Sequence, residues 1–326
     1  MISIIVCSAK EEVYETFLKS LEESIGSVHE VIRVYNPNGE LSICKAYNQS
    51  AAKAQYSYLC FIHEDVTFQT QNWGALLVAH FKQLANPGVI GVAGAVYKPK
   101  ILTTWWQQEI NGFEPKRVRL VQNFKFMEHP PHYTYHNPLN ESSSEVVGLD
   151  GFFLSMTKQT WQDCLFDETL LKGFHGYDLD ICLSVRATKR NYTVFDILLD
   201  HFSEGRNDES WLQDYFRLHE KHKQALPTAV EPYLKQVLHN PIIDLFWKHY
   251  WLRQFISWKI PFSSVFNYYQ KLLQLNDEEV SSWQIKSTIA QAYSAFYWEQ
   301  MSACLKTKAL AWKHALAKRI KPYFKK

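Results

Sequence analysis

YLCFIHEDVTF, residues 58–68, runs from five apolar or aromatic residues straight into His63, Glu64 and Asp65. An apolar run of that length reads as a buried strand, and this one ends on three side chains able to hold a proton or a metal ion. Its surroundings decide the fold. Upstream lie the strand pattern ISIIVC (2–7), an amphipathic helix over 11–25, the strand EVIRVY (30–35) and a second helix over 43–55. Downstream follow a helix around 73–85 and the strand GVIGVAGAVY (88–97). Alternation of this kind requires crossover connections, so it predicts an α/β class with a mostly parallel sheet covered by helices on both faces. Ligands of such sheets bind beyond the carboxyl ends of the strands, which is where the His-Glu-Asp run falls.

Beyond residue 98 the pattern breaks into a stretch rich in Pro, His, Asn and aromatics, up to about 145. It is expected to be a long insertion that shapes a substrate cleft. Order returns with VVGLDGFFLSMTKQTW (146–161), a strand entering a helix, and then with a loop, helix and strand over 166–205. After about 206 nearly everything has helical period. The expected division is therefore an α/β domain over 1–205 and a helical domain over 206–326, with no internal repeat.

Composition limits the alternatives. The chain has 326 residues, 46% of them hydrophobic and 15% aromatic, which excludes wholesale disorder. A net charge of +2 does not mark a nucleic-acid binder. Six dispersed cysteines without a C-x-x-C pair read as free thiols of a reducing compartment. The opening MISIIVCSAKEE lacks a basic leader and reads as a strand, so no export is expected, and no apolar run is long enough to cross a membrane.

Three constellations can carry chemistry. A carboxylate at the end of the 58–63 strand can hold a divalent cation against phosphates; the plainer alternative is that Asp65 or Thr67 caps the helix containing Trp73. In GFHGYDLDICLSVR (173–186), Asp178 and Asp180 open a helix and point to different sides. Asp178 suits a general base, or either acid a helix start. In LLDHFSEG (198–205), His201 ends a strand and can be a metal ligand or a structural histidine.

Taken together, in this order and at these separations, they resemble the family 2 glycosyltransferases of GT-A fold over roughly residues 1–205. NPNGELSICKAYNQSAAKAQYSYLCFIHEDV is similar to the family's stretch from an Asn- and Gly-containing loop, through an A-x-N-x-x-x-x-x-A helix, to the strand ending in Asp-x-Asp. GLDGFFLSMTK resembles its acceptor-side strand, and GYDLDICLSVRATKRNY its Glu-Asp helix. The chain looks most like the bacterial branch in which CxAYN precedes HED. The resemblance implies an inverting transferase that moves a sugar from a nucleotide donor, UDP being common in similar enzymes, to a hydroxyl in cell-envelope glycan synthesis.

The resemblance implies Asp178 as base, Asp65 as the contact to metal and donor diphosphate, and His201 as a further metal contact. Asp150, Gly151 and Tyr177 fall at the acceptor or donor sugar, and Cys7, Ser8, Ala9, Asn48 and Glu64 on the nucleotide side. The implied cofactor is Mn2+ or Mg2+, and the implied acceptors are a glycan, a lipid-linked saccharide or a protein. The sequence departs from the family at two places. His63 stands for the first Asp of Asp-x-Asp, as a weaker metal ligand or none, with Glu64 as an alternative ligand, and Tyr177 stands for the Glu of Glu-Asp. These departures leave open a degenerate nucleotide-sugar-binding or interaction module. A sugar nucleotidyltransferase is a further alternative, disfavoured because VCSAKEEVY lacks a glycine-rich basic loop.

Residues 305–326 carry eight Lys or Arg and no acid, interleaved with apolar residues. Two readings are open: a helix lying on an anionic membrane surface, which would place a cytoplasmic protein at the inner face, or one packed on the protein with a basic outer face. Homo-oligomerisation is also left open.

Overall fold

The computed structural model describes the chain apart from residues 107–108, 110–112, 125–128, 204–207, 232–240, 259, 276, 299–300 and 303–326. It divides into two compact units, Met1–Asn240 and Pro241–Lys326.

The first unit opens as β1 (Ile2–Ser8), α1 (Glu11–Ser24), β2 (His29–Tyr35), α2 (Ile43–Lys53), β3 (Tyr58–His63), β4 (Val66–Phe68), α3 (Trp73–Gln83) and β5 (Pro87–Gly91). Residues 88–97 do not make one strand: the chain leaves the first sheet after Gly91 and continues as β6 (Ala93–Ala95) and β7 (Tyr97–Lys98). Gly94 passes so close to the backbone of Gly148 that a Cβ would lie 2.7 Å from its carbonyl oxygen. The stretch expected as an irregular insertion holds β8 (Lys116–Gln122), β9 (His132–His136) and β10 (Ser143–Val146). Then come β11 (Gly148–Leu149), β12 (Phe153–Thr157), α4 (Lys158–Asp163), α5 (Tyr177–Val185), β13 (Arg190–Val194), β14 (Leu199–His201), α6 (Glu209–His222) and β15 (Thr228–Ala229).

Seven strands form the main sheet in the order β10-β13-β5-β12-β3-β1-β2. β1 runs parallel to both β2 and β3, and β13 parallel to β5, while β12 runs antiparallel between β3 and β5. Because helices cover both faces, β1 and β3 are apolar at most positions on either side. Ile2, Ile4, Val6, Cys60 and Ile62 pack with Phe17, Leu21, Trp73 and Leu77 of α1 and α3. Ile5, Leu59 and Phe61 face the other way, onto Cys44, Tyr47, Ile181 and Cys182 of α2 and α5. A second sheet, β11-β6-β8-β14-β4 with β9 on β8, stands beside the carboxyl end of β3.

α6 belongs to this unit. Its Lys221 and His222 both bond the buried Asp180 carboxylate, at 2.8 and 2.7 Å. The compact unit therefore runs past the boundary expected at 205, because helical period does not say whose core a helix joins.

The second unit contains α7 (Pro241–Ser257), α8 (Phe262–Leu275) and a helical run over 282–298. Trp251, Phe255, Val265, Leu272, Ile285 and Ile289 are among its buried residues. Among the described residues no helix is long and apolar enough to cross a membrane. The basic stretch 305–326 lies outside the described residues.

Candidate active site

β3 delivers His63 to the centre of the sheet edge, where its backbone N–H donates to Phe152 O at 3.0 Å. The chain then turns at Glu64 and Asp65 into β4, which pairs antiparallel with β14 so that His201 faces Val66. This pairing brings a histidine far away in sequence beside Asp65. The helix-cap alternative for Asp65 or Thr67 does not hold: α3 starts at Trp73, with Asn72 at its cap in the left-handed region, φ 58°.

Glu64 and Asp65 diverge. The Glu64 carboxylate accepts from the backbone N–H groups of Ala9 and Lys10, at 3.1 and 3.3 Å. It thereby closes the amino end of α1, whose own cap residue Lys10 makes no side-chain capping bond. Glu64 thus fixes the loop that carries Cys7, Ser8 and Ala9, and is not the inward ligand. Ser8 Oγ accepts from Arg33 Nε at 2.7 Å, and Arg33 is itself held by Glu11.

Asp65 turns toward the two histidines. Its Oδ1 lies 3.8 Å from His63 Nδ1 and 3.9 Å from His201 Nε2. Ligand atoms of the three residues all lie within 4.8 Å of one another. Asp65 Oδ1 is buried and meets no hydrogen-bond donor among the described residues. An ionisable oxygen buried in that way is costly unless a cation satisfies it, so the donor set fits a divalent metal. Burial lowers the pKa of His63 against the opposing pull of Asp65, which favours the neutral imidazole that ligation needs. The His201 ring lies on Phe152 with centroids 4.4 Å apart and planes at 20°.

α5 starts at Tyr177, after Gly176 at φ +74°, a conformation glycine adopts without strain. The Tyr177 hydroxyl is 2.6 Å from His63 Nε2. The tyrosine also explains Gly151, since a Cβ there would lie 2.3 Å from the Tyr177 hydroxyl oxygen. Asp178 is buried beside it and accepts from the Leu179 N–H at 2.8 Å. Burial pushes its carboxyl up to about 6, against the backbone N–H bonds that pull it down. Asp150 is pushed up to about 7, by burial first and by the charge of Asp178 second.

Two cavities meet here. One, of about 310 Å³, is lined by His63, Asp150, Gly151, Asp178 and His201 and walled by Trp105, Trp106, Phe174, Trp211 and Tyr215. The other, of about 380 Å³, is lined by Cys7, Ser8, Ala9, Gly39, Glu64 and Asp65. His63 and Tyr177 belong to both.

One expected residue is not brought here. Asn48 sits on the side of α2 turned to α4: its Oδ1 accepts from Trp161 Nε1 and Phe166 N, and its Nδ2 donates to Phe166 O and Glu168. With its amide fully engaged, it is a brace between α2 and the 161–168 segment and not a nucleotide contact. Conversely, Trp211 and Tyr215 were not anticipated at the site. They lie one helical turn apart on α6 with rings stacked at 3.8 Å, an i, i+4 aromatic pair visible in the sequence but placed beyond the expected domain boundary.

The sequence profile of a family described as a glycosyltransferase-like family matches residues 3–226. No curated protein matches the sequence. The fold is similar to that of S. aureus TarS 1–349, solved in complex with UDP, with a TM-score of 0.52 at 12% identity, over 93% of this chain and 91% of that one. GalNAc-T7, solved with UDP, GalNAc and Mn2+, aligns with a TM-score of 0.46 at 12% identity, over 72% of this chain and 54% of that one. This chain therefore spans about half the length of that structure. A197 from STIV aligns with a TM-score of 0.35 at 12% identity, over 62% of this chain and 85% of that one. At 12% identity the likeness to TarS is one of fold alone.

Proposed function

The chain belongs to the glycosyltransferase-like family, and from the site it builds we propose an inverting transferase that moves a sugar from a nucleoside diphosphate, UDP first among the candidates, to an acceptor hydroxyl. The observation that carries this reading is the partition between the two cavities. His63, with Asp65 and His201 beside it, stands at their junction, and Asp178 opens on one side only.

In this reading the nucleoside lies against Cys7 to Ala9 and its diphosphate reaches the junction. The acceptor enters the cavity walled by tryptophans, whose ring faces suit the C–H faces of a sugar. Asp178 takes the proton of the acceptor hydroxyl as its oxygen bonds the anomeric carbon from the side opposite the diphosphate. The bond to the diphosphate breaks in the same step, so the anomeric configuration inverts and no covalent enzyme intermediate is needed. A carboxyl raised to about 6 is still mostly ionised at neutral pH and is a stronger base than an ordinary aspartate. Asp150, raised further, can donate a hydrogen bond to a sugar hydroxyl from its protonated form.

Asp65, His201 and His63 would hold a divalent cation, which supplies Lewis-acid stabilisation of the charge growing on the leaving diphosphate. Two imidazoles and one carboxylate suit Mn2+ better than Mg2+, which prefers oxygen ligands. Synthesis of a cell-envelope glycan is the setting proposed for the acceptor.

Thermal shift against UDP, GDP, dTDP and CDP, each with and without Mn2+ or Mg2+, tests the donor side. A shift with one diphosphate that grows with Mn2+ supports the reading; stability unmoved by every pair refutes it. Turnover of the matching sugar nucleotide, with the product anomer read by NMR, tests inversion.

A further inference from the structure

The helical run 282–298 in the second unit has two apolar sides. Ile285 and Ile289 are buried, at 2% and 0% exposure. Trp283, Tyr297, Trp298 and Met301 stand in water at 76%, 62%, 67% and 50% exposure. These are not scattered positions. With about 3.6 residues per turn, Tyr297 lies four turns beyond Trp283, so the two share a line, with Trp298 at its flank. Ile285 and Ile289 fall on the opposite side. Between the aromatic ends the exposed line is filled by the small residues Ala290 and Ser294. Ordinary soluble helices expose single apolar residues, whereas two tryptophans and a tyrosine on one outer face mark an interaction surface.

We propose that this face seats on an anionic lipid surface. Tryptophan and tyrosine are the residues that favour the boundary between headgroups and acyl chains. The charge of the sequence that carries and follows the stripe selects the sign of that boundary. Lys286 is exposed on the same helix, and from residue 280 to 326 the sequence has nine Lys or Arg against one acid, Glu299. Cations that follow an interfacial aromatic stripe draw it to anionic headgroups within a Debye length. The same excess of cations, carried by both copies, disfavours a second copy of the chain as occupant. The outcome is a transferase held at a membrane surface by its second unit, by aromatic insertion and charge together.

The test is co-sedimentation of the full-length protein with vesicles of phosphatidylcholine alone and of phosphatidylcholine with one third phosphatidylglycerol, at low and high salt. Trp283→Ser/Trp298→Ser is compared with the unaltered chain. The expected result is binding to the anionic vesicles that weakens with salt, at least about five-fold weaker for the double variant. Both substitutions replace exposed residues, so an unchanged melting temperature confirms that the variant is folded. Equal binding to both vesicle types, equal binding by the double variant, or no binding by the unaltered chain overturns the proposal. A dimer in light scattering that the double variant abolishes, without vesicle binding, also overturns it and assigns the face to a second copy.

Discussion

His63 Nε2 and the Tyr177 hydroxyl lie 2.6 Å apart, so the two positions at which the motifs depart from the family form one bonded pair. In the family pattern both positions carry carboxylates; here a histidine and a phenol replace them together. If His63 turns its Nδ1 toward the cation shared with Asp65, its Nε2–H is left to donate, and the Tyr177 oxygen is the acceptor in reach.

Tyr177→Phe removes only that oxygen. The ring keeps its packing against Tyr47 and Phe166, with centroids 5.7 and 6.2 Å away. Loss of such an outer-sphere partner is expected to weaken Mn2+ binding by about 10- to 100-fold, with the melting temperature of the metal-free protein little changed. Manganese titration followed by electron spin resonance measures this. An unaltered affinity would mean that the pair is a packing contact and His63 is not a ligand.

Asp178→Asn keeps the shape of the side chain and its bond from Leu179 N, and removes the base. Transfer is expected to fall by about 10²- to 10⁴-fold while the nucleotide Kd stays within a factor of a few. The same variant should be more stable than the unaltered protein at pH 8. The folded carboxyl, at about 6, lies above the usual aspartate value of 3.8, so burial disfavours its charged form. That cost is absent below about pH 4, where both folded and unfolded chains are protonated, and is complete above about pH 6; it amounts to on the order of 3 kcal/mol. Melting curves of the two proteins should therefore coincide near pH 4 and separate toward pH 8. Transfer at the unaltered rate would remove Asp178 from the role of base.

The rate should also fall on the acid side, as Asp178 becomes protonated below about pH 6. Asp178 raises Asp150 by repulsion, so Asp178, at about 6, ionises before Asp150, at about 7. Asp150 is therefore neutral while Asp178 titrates, and Asp150→Asn should leave the acid limb of kcat/KM near pH 6 even if the overall rate drops. A limb that moves well below pH 6 in this variant would show that Asp150 carries charge while Asp178 titrates.

The parts of the site legible in the sequence were those fixed by strand ends. An apolar run followed by polar residues located His63, Asp65 and His201, because a parallel sheet presents the carboxyl ends of its strands to ligands. The direction of each side chain was not legible: Glu64 and Asp65 are neighbours, yet one closes a helix and the other faces the histidines. Asn48 matched a motif but faces α4, since a helical residue's side depends on what packs against it. The region 98–145 hid its strands because β8 carries a charge at Lys116, Arg117 and Arg119 and β9 is polar, although β8 pairs with β6, β14 and β9 inside the second sheet. α6 was assigned to the wrong unit because its apolar face, with Leu212, Phe216 and Leu218 buried, has helical period whichever core it joins, and its ion pair with α5 carries no period at all.

That attachment yields the last prediction. Asp180 is 2% exposed and is bonded by His222, itself nearly buried, and by Lys221, whose side chain is about a third exposed. Asp180→Ala leaves His222 and Lys221 facing a cavity, with an expected loss of about 3 kcal/mol, read as a lower urea midpoint. Because α6 also carries Trp211 and Tyr215 into the tryptophan-walled cavity proposed for the acceptor, the variant should raise the KM for acceptor more than that for donor. A fragment ending at residue 205 removes both partners at once and strands the carboxylate in the core. Such a fragment is expected to be insoluble or non-cooperative in melting, whereas one ending at 240 should melt cooperatively. If the shorter fragment folds as well as the longer, α6 is an accessory to the α/β unit and not part of its core.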